Sequence, residues 1–174
     1  KNKDGCCKRK NVIILGAGGR DFHNFMVHYK DNPLYNVVCF TVTQIPGIEK
    51  RKFPKELAGR LYRNDIPIFS EEELPELIRR FNVNEVVFSY SDVSNEYVMQ
   101  MASLVESCGA DFRLLGPDST MLKSRKPVIA ICAVRTGAGK SRTSRKVIEI
   151  LRPRGIRPVL IRHPMPYDAD LRRQ

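Results

Sequence analysis

Five times between residues 11 and 117, a short apolar run rich in β-branched residues is followed by a loop and then by a segment with helical spacing. The runs are Asn11–Leu15, Tyr35–Thr43, Ile66–Phe69, Glu85–Tyr90 and Asp111–Leu115. They are too continuously apolar to leave one face in water, so they predict strands buried on both sides. Helices are expected near Asp21–Tyr29, around Glu56–Leu61, after Ser70 and along Tyr97–Val105. Ser70 and Glu73 have capping-box spacing, and Leu74, Leu77, Ile78 and Phe81 recur at helical period behind them, with Pro75 expected to distort the first turn. Gly109 is a natural stop for the helix whose face carries Tyr97, Met101 and Val105. Strands that alternate with helices favour a parallel sheet with helices on both faces. The expectation is an α/β, Rossmann-like doubly wound domain over residues 11–118. Its ligand crevice should lie at the carboxyl ends of the strands, among Gly16–Asn24, Thr41–Ile48, Tyr90–Ser94 and Gly116–Ser119.

Beyond a polar connection at 119–126 the pattern restarts. Val128–Ala133 reads as a buried strand, Thr136–Ser141 as a glycine-rich loop, Lys140–Leu151 as a helix and Pro158–Arg162 as another strand. One such unit cannot cover its own apolar faces. Residues 127–174 are therefore expected to be the start of a P-loop NTPase α/β domain, truncated here. Charge follows the same division. Residues 1–120 carry 16 basic and 16 acidic side chains, whereas 121–174 carry 14 basic and 3 acidic ones, so the whole net charge of +11 sits in the second part. Lys1–Lys10 reads as a flexible basic arm without the apolar stretch of a secretory signal. No apolar run approaches the length of a membrane span. The five cysteines include no CxxC pair, which suits a reducing, cytoplasmic compartment, and Cys39, Cys108 and Cys132 read as packing residues. His23, His28 and His163 show no zinc-ligand spacing.

The most specific motif is Arg135-Thr136-Gly137-Ala138-Gly139-Lys140-Ser141, continued by Arg142. Glycines bring main-chain N–H groups close to a phosphate, the helix N-terminus favours an anion, Lys140 can reach the outer phosphates and Ser141 can hold Mg²⁺. Val134 replaces the usual first glycine, so the loop is of the variant type, with Arg135 where a second lysine can stand. Gly16-Ala17-Gly18-Gly19-Arg20-Asp21 begins like a dinucleotide fingerprint but has Asp21 in place of the third glycine, and Thr41-Val42-Thr43-Gln44 offers no acid for a ribose. Arg20 with the loop amides could hold a phosphorylated substrate instead; a surface ion pair and a cap are the plainer reading of Arg20 and Asp21. Asp92 at a strand end is a candidate base or a helix cap, and His163 after Arg162 faces the phosphates if the loop is of this class.

Gly18-Gly19-Arg20-Asp21-Phe22-His23-Asn24-Phe25, Thr43-Gln44-Ile45-Pro46-Gly47-Ile48, Tyr90-Ser91-Asp92-Val93-Ser94, Leu115-Gly116-Pro117 and Arg162-His163-Pro164-Met165-Pro166-Tyr167 stand out together with the glycine loop. In combination they resemble the cyclic 2,3-diphosphoglycerate synthetase family, whose relatives are also described as GTPases. The resemblance implies ATP-dependent closure of an intramolecular phosphoanhydride in a small phosphorylated acid, an enzyme of the ligase or phosphotransferase class, inactive as this fragment alone. It implies ATP (or GTP) and Mg²⁺ as cofactors, nucleotide contacts from Arg135 to Arg142, and substrate contacts from Gly18, Gly19, Arg20, Asp21, His23, Asn24, Arg162 and His163. Lys140, Asp92 and His163 are the expected catalytic groups, and Ser141 the metal contact. The alternative is a GTPase-like regulatory switch without a small substrate. With one aromatic residue, Tyr167, in 121–174, the basic segment has no stacking platform, which argues against nucleic acid as a partner. No membrane partner is expected, and a homo-oligomer joined through an open sheet edge is compatible with the pattern.

Overall fold

Val12, Ile13, Ile14 and Leu15 are wholly removed from solvent. In the computed structural model, which describes residues 8–17, 19–43, 51–91, 93–133 and 137–161, these four form the heart of β1 (Lys10–Leu15). β1 pairs in parallel with β2 (Tyr35–Val42) on one side and with β5 (Glu85–Phe88) on the other. β4 (Ile66–Ser70) extends the sheet beyond β2, and β6 (Asp111–Leu114) extends it beyond β5, both in parallel. A short β3 (Lys52–Phe53) closes the outer edge antiparallel to β4, giving the order β3-β4-β2-β1-β5-β6. The five expected parallel strands are all present. β3 was not expected, because two residues carry no periodic signal; its Phe53 is fixed by the rings of Phe22 and Phe25, 5.0 and 5.1 Å away.

Helices cover both faces, as a doubly wound α/β fold requires. α1 (Arg20–Asn24), the π-helical turn that continues it (Phe25–Tyr29) and α2 (Lys55–Ala58) pack on Val12, Ile14, Phe40 and Val87. α3 (Leu74–Arg80) and α4 (Asn95–Ser107) pack on Ile13, Leu15, Cys39, Val86 and Phe88. Each of these large side chains contributes about 1.5–3 kcal/mol on burial. The expected continuous helix over Asp21–Tyr29 is corrected at Phe25, where the chain widens to the i→i+5 bond from Lys30 N–H to Phe25 C=O, 2.9 Å. Ser70 and Glu73 do form the expected capping box, around a 3₁₀ turn at Glu71–Glu73 that delivers Pro75 into the first turn of α3, where its missing N–H costs nothing.

At the amino end of the sheet lies a buried charge. The Glu85 carboxylate is 5% exposed; it accepts the Tyr29 hydroxyl at 2.9 Å and pairs with Arg113 at 3.1 Å. Without these partners an ionised carboxylate there would be strongly disfavoured. Nearby, His28 Nε2 is enclosed without a hydrogen-bond partner, and burial, with the Arg113 charge second, holds the ring below its ordinary value of 6.5. A ring kept neutral stabilises the fold fully above pH 6.5, and that contribution is lost as pH falls through the lowered value. The thermal midpoint should therefore drop between about pH 7 and about pH 5, and drop less in His28→Gln. Parallel pH profiles for the two proteins would refute this.

The described residues divide into two units, one running up to Met121 and one from Leu122. In the first, α5 (Pro117–Thr120) occupies the start of the expected connection. In the second, α6 (Lys140–Leu151) forms where the sequence places it and ends in a 3₁₀ turn at Arg152–Arg154. The two strands expected at Val128–Ala133 and Pro158–Arg162 are corrected: no described residue of either segment is in a strand. Val128 and Ile129 are 69% and 62% exposed, Val159 and Ile161 86% and 90%. An apolar run becomes a strand only when a neighbour takes its backbone hydrogen bonds, and among the described residues none does. Amide exchange on the 174-residue chain should therefore be fast at 128–133 and 156–161 and slow at 12–15 and 85–88. Equal protection in all four segments of a monomer would overturn this.

Candidate functional site

The sheet reverses direction of growth at β1. From β1 the chain first adds β2 and β4 on one side, then crosses back to add β5 and β6 on the other. At such a switch point the loops leaving adjacent strands diverge and leave a crevice at their carboxyl ends. Gly16 opens the first loop, donating its N–H to the Thr41 carbonyl at 2.8 Å with φ at +113°. A side chain there would run into the carboxylate of Asp21. That carboxylate, 6% exposed, accepts the N–H groups of Gly19 and Phe22, both at 2.6 Å. Two of the amides at the head of α1, where an external anion could sit, are thus engaged by an internal one.

The other expected substrate contacts separate into different roles. His23 donates from Nε2 to the Thr120 carbonyl at 2.6 Å; a carbonyl only accepts, so this nitrogen carries the proton and the ring ties α1 to α5. Arg20 is exposed and reaches the Leu115 carbonyl, just past β6, at 3.4 Å, which spreads its guanidinium along the crevice rim. Asn24 is 1% exposed; its amide donates to Ser89 Oγ, just past β5, at 2.9 Å, while its Oδ1 has no partner. Gly18, Asp92, Arg135, Thr136, Arg162 and His163 lie outside the described residues.

On the α3 and α4 face of the same edge is a group that sequence reasoning missed. The Glu71 carboxylate accepts the Tyr90 hydroxyl at 2.6 Å on Oε2 and the Tyr97 hydroxyl on Oε1. Thr43 also hydrogen-bonds Tyr90. Burial, then the bond to Glu71, raises both tyrosines above their ordinary value. Glu71 reads in sequence as one of three acids in a capping segment, and Tyr97 as an apolar helix position; only their convergence gives them a role. In β2, Thr41, 0% exposed, leaves Oγ1 without a partner. Cys39, on the same face, is a packing residue, with burial pushing its thiol up to about 12.

In the second unit, Gly137 and Gly139 both adopt left-handed backbone, φ +83° and +91°, immediately before α6. A Cβ at either would meet nothing within 4 Å, so backbone conformation, not space, calls for glycine there. Ala138, Lys140, Ser141 and Arg142 are exposed around this turn. The Gly139 carbonyl accepts the N–H groups of Arg142 and Thr143 at 3.0 and 3.1 Å, which closes the first turn of α6.

No family model matches the chain. The chain is similar to an arginine synthetase. That relative, Arginine synthetase ArcE of Thermococcus kodakarensis, is 62% identical over 167 residues, which cover 96% of this chain and 37% of the relative. The chain thus spans little more than a third of the curated relative it matches. Among solved structures, the Rex-family repressor RSP aligns with a TM-score of 0.43 and 17% identity over 86% of this chain and 64% of the other. RSP with β-NADH gives 0.41 and 16% over 86% and 64%, and RSP with β-NAD⁺ and operator DNA gives 0.41 and 17% over 87% and 62%.

These findings correct several expectations. The resemblance to cyclic 2,3-diphosphoglycerate synthetases, with its phosphoanhydride chemistry and its GTPase-like alternative, is overturned by the extent of identity to a protein that bears a different activity in its name. The expectation of ATP or GTP with Mg²⁺ came with that resemblance and is withdrawn with it. The expected partner set, a nucleotide and a small phosphorylated acid with nucleic acid set aside, is withdrawn with it too. Among the described residues, no helix is long and apolar enough to cross a membrane.

The role of Asp21 is directly measurable. Asp21→Ala leaves two loop amides without their acceptor and should lower unfolding free energy by about 1–3 kcal/mol, and Asp21→Asn by less, because an amide oxygen still accepts. Urea denaturation with unchanged m-values checks this. A loss in Asp21→Ala below about 0.5 kcal/mol would mean that the carboxylate does not organise the loop.

Proposed function

We propose that this chain is the Rossmann-like portion of an enzyme that makes arginine, with the amino-acid ligand in the crevice at the carboxyl ends of β1, β2, β4 and β5. The observation that carries the reading is the 62% identity to an arginine synthetase over nearly the whole chain. Several features of the chain agree with it. The crevice edge has buried polar atoms with unused bonding capacity, Asn24 Oδ1 and Thr41 Oγ1, on opposite faces of the sheet. Such atoms favour a ligand with both donors and acceptors, as an amino acid has.

A synthetase joins two molecules. Forming a C–N bond at an unreactive carbonyl carbon requires that negative charge on the departing oxygen be stabilised. In this reading the second unit supplies the anion site: the left-handed glycine turn at Gly137 and Gly139, the N-terminus of α6, and Lys140, Ser141 and Arg142 around it. Arg20 and Asn24 face the ligand, and Asp21 shapes the loop that holds them. Asp92 and His163 stay candidates for proton transfer by residue type.

A chimera tests this. The 167-residue segment of the Thermococcus kodakarensis relative is replaced by this chain, and arginine formation is measured. The chimera should form arginine, and Lys140→Ala within it should lower kcat/KM by about 10²–10³, the usual cost of removing a charge-stabilising donor. A folded chimera that forms no arginine would overturn the reading.

A further inference from the structure

The Glu71 cluster does something that the loop-shaping residues do not: it presents a negative charge at the mouth of the crevice. β4 and β5 are separated in the sheet by β2 and β1, about 14 Å from end to end of that span. The hydrogen bond between Glu71, which follows β4, and Tyr90, which follows β5, therefore closes over the carboxyl ends of β2 and β1. Both hydroxyls donate, one to each carboxylate oxygen, which uses about half of the carboxylate's acceptor capacity and fixes its plane. Neither tyrosine brings positive charge. The ion pairs of Arg113 with Glu85 and of Lys146 with Glu149 do not involve Glu71.

The surroundings hold this carboxylate in place. Phe88 stands edge-on to Tyr90 at 5.3 Å and lies 6.2 Å from Tyr97, so the carboxylate is backed by a rigid aromatic wall. A second, independent observation points to the same place. Thr41 pairs with Phe69 in register, two residues before Glu71 in the chain, and Thr43, two residues beyond Thr41, hydrogen-bonds Tyr90. The fully buried Thr41 hydroxyl, at this end of β2, has no partner.

We propose that Glu71, clamped between Tyr90 and Tyr97 at the carboxyl end of β4, is a cation-binding corner of the crevice that takes the guanidinium or ammonium group of an amino-acid ligand. The remaining carboxylate lone pairs accept a bidentate guanidinium, and the tyrosine rings add attraction for a cation lying against them. The corner rejects phosphate and other anions, which complements an anion site elsewhere in the protein. This deepens the proposed function and rests on it for the identity of the ligand, though not for its charge.

The test uses the 174-residue chain, which has six tyrosines and no tryptophan, so the part of the tyrosine signal lost in Tyr90→Phe and Tyr97→Phe reports on this corner. Methylguanidinium, L-arginine and the neutral isostere methylurea are titrated, with calorimetry alongside. Methylguanidinium and L-arginine should saturate one site and methylurea should not. Glu71→Gln should weaken methylguanidinium binding by about tenfold or more, and Tyr97→Phe by several-fold, with thermal midpoints recorded for both. If Glu71→Gln fails to fold, Tyr97→Phe and Tyr90→Phe, which leave the carboxylate in place, decide by the same titration. Equal binding by the parent and a folded Glu71→Gln, equal binding of methylurea and methylguanidinium, or no binding of either cation would overturn the proposal. An inactive chimera whose Glu71 still binds methylguanidinium would sink the arginine-forming reading alone. An active chimera whose KM for its amino-acid substrate is unmoved by Glu71→Gln would sink the cation corner alone.

Discussion

Everything in the first unit hangs from the parallel pairing of β1 with β2 and β5. A strand with neighbours on both edges and helices on both faces has no contact with water, and Val12–Leu15 meet that condition completely. Parallel neighbours need long crossovers, so the pairing dictates a helix after each strand and separates the helices onto two faces. The two crossover directions from β1 then create the crevice. Had β2 and β5 lain on the same side of β1, the loops after β1 and β5 would not have parted, and Asn24 and Ser89 would not face each other across the gap.

The crevice is lined unevenly. On the α1 face the available main-chain donors are satisfied from within by Asp21, and His23 and Asn24 tie that helix to α5 and to the loop after β5. On the α3 and α4 face a carboxylate is held by two neutral hydroxyls. A crevice in which the Gly19 and Phe22 amides are already engaged by Asp21, and which carries the Glu71 carboxylate, suits a cationic or zwitterionic ligand better than a polyphosphate. The left-handed glycines before α6 lie in the second unit, and the basic excess lies in residues 121–174.

That second unit shows how far apolar patterning carries. Val128–Ala133 and Asn11–Leu15 look alike as sequences, both short and rich in β-branched residues. The second is a strand because β2 and β5 receive its backbone groups; the first, among the described residues, has no such receiver and stays extended and exposed. The helix between 140 and 151 needs no such help, because its hydrogen bonds are internal.

The sequence by itself determined the order and type of elements in the first unit, since period-2 and period-3.6 patterns and glycine and proline stops are local properties of the chain. It also determined where the charge lies, and it marked Gly137, Gly139 and Lys140 through the demands of a tight turn. It did not reveal β3, whose two residues acquire meaning only beside β4, nor the wider turn at Phe25–Tyr29. It assigned Asp21, His23 and Asn24 to a ligand, when Asp21 and His23 are taken up by Gly19, Phe22 and Thr120. It missed Glu71, Tyr90 and Tyr97, which lie up to 26 positions apart and meet only because β4 and β5 end at the same edge of one sheet. Tertiary structure decided these because hydrogen bonding between distant side chains depends on strand order, and strand order is set by crossovers that leave no local trace in the chain.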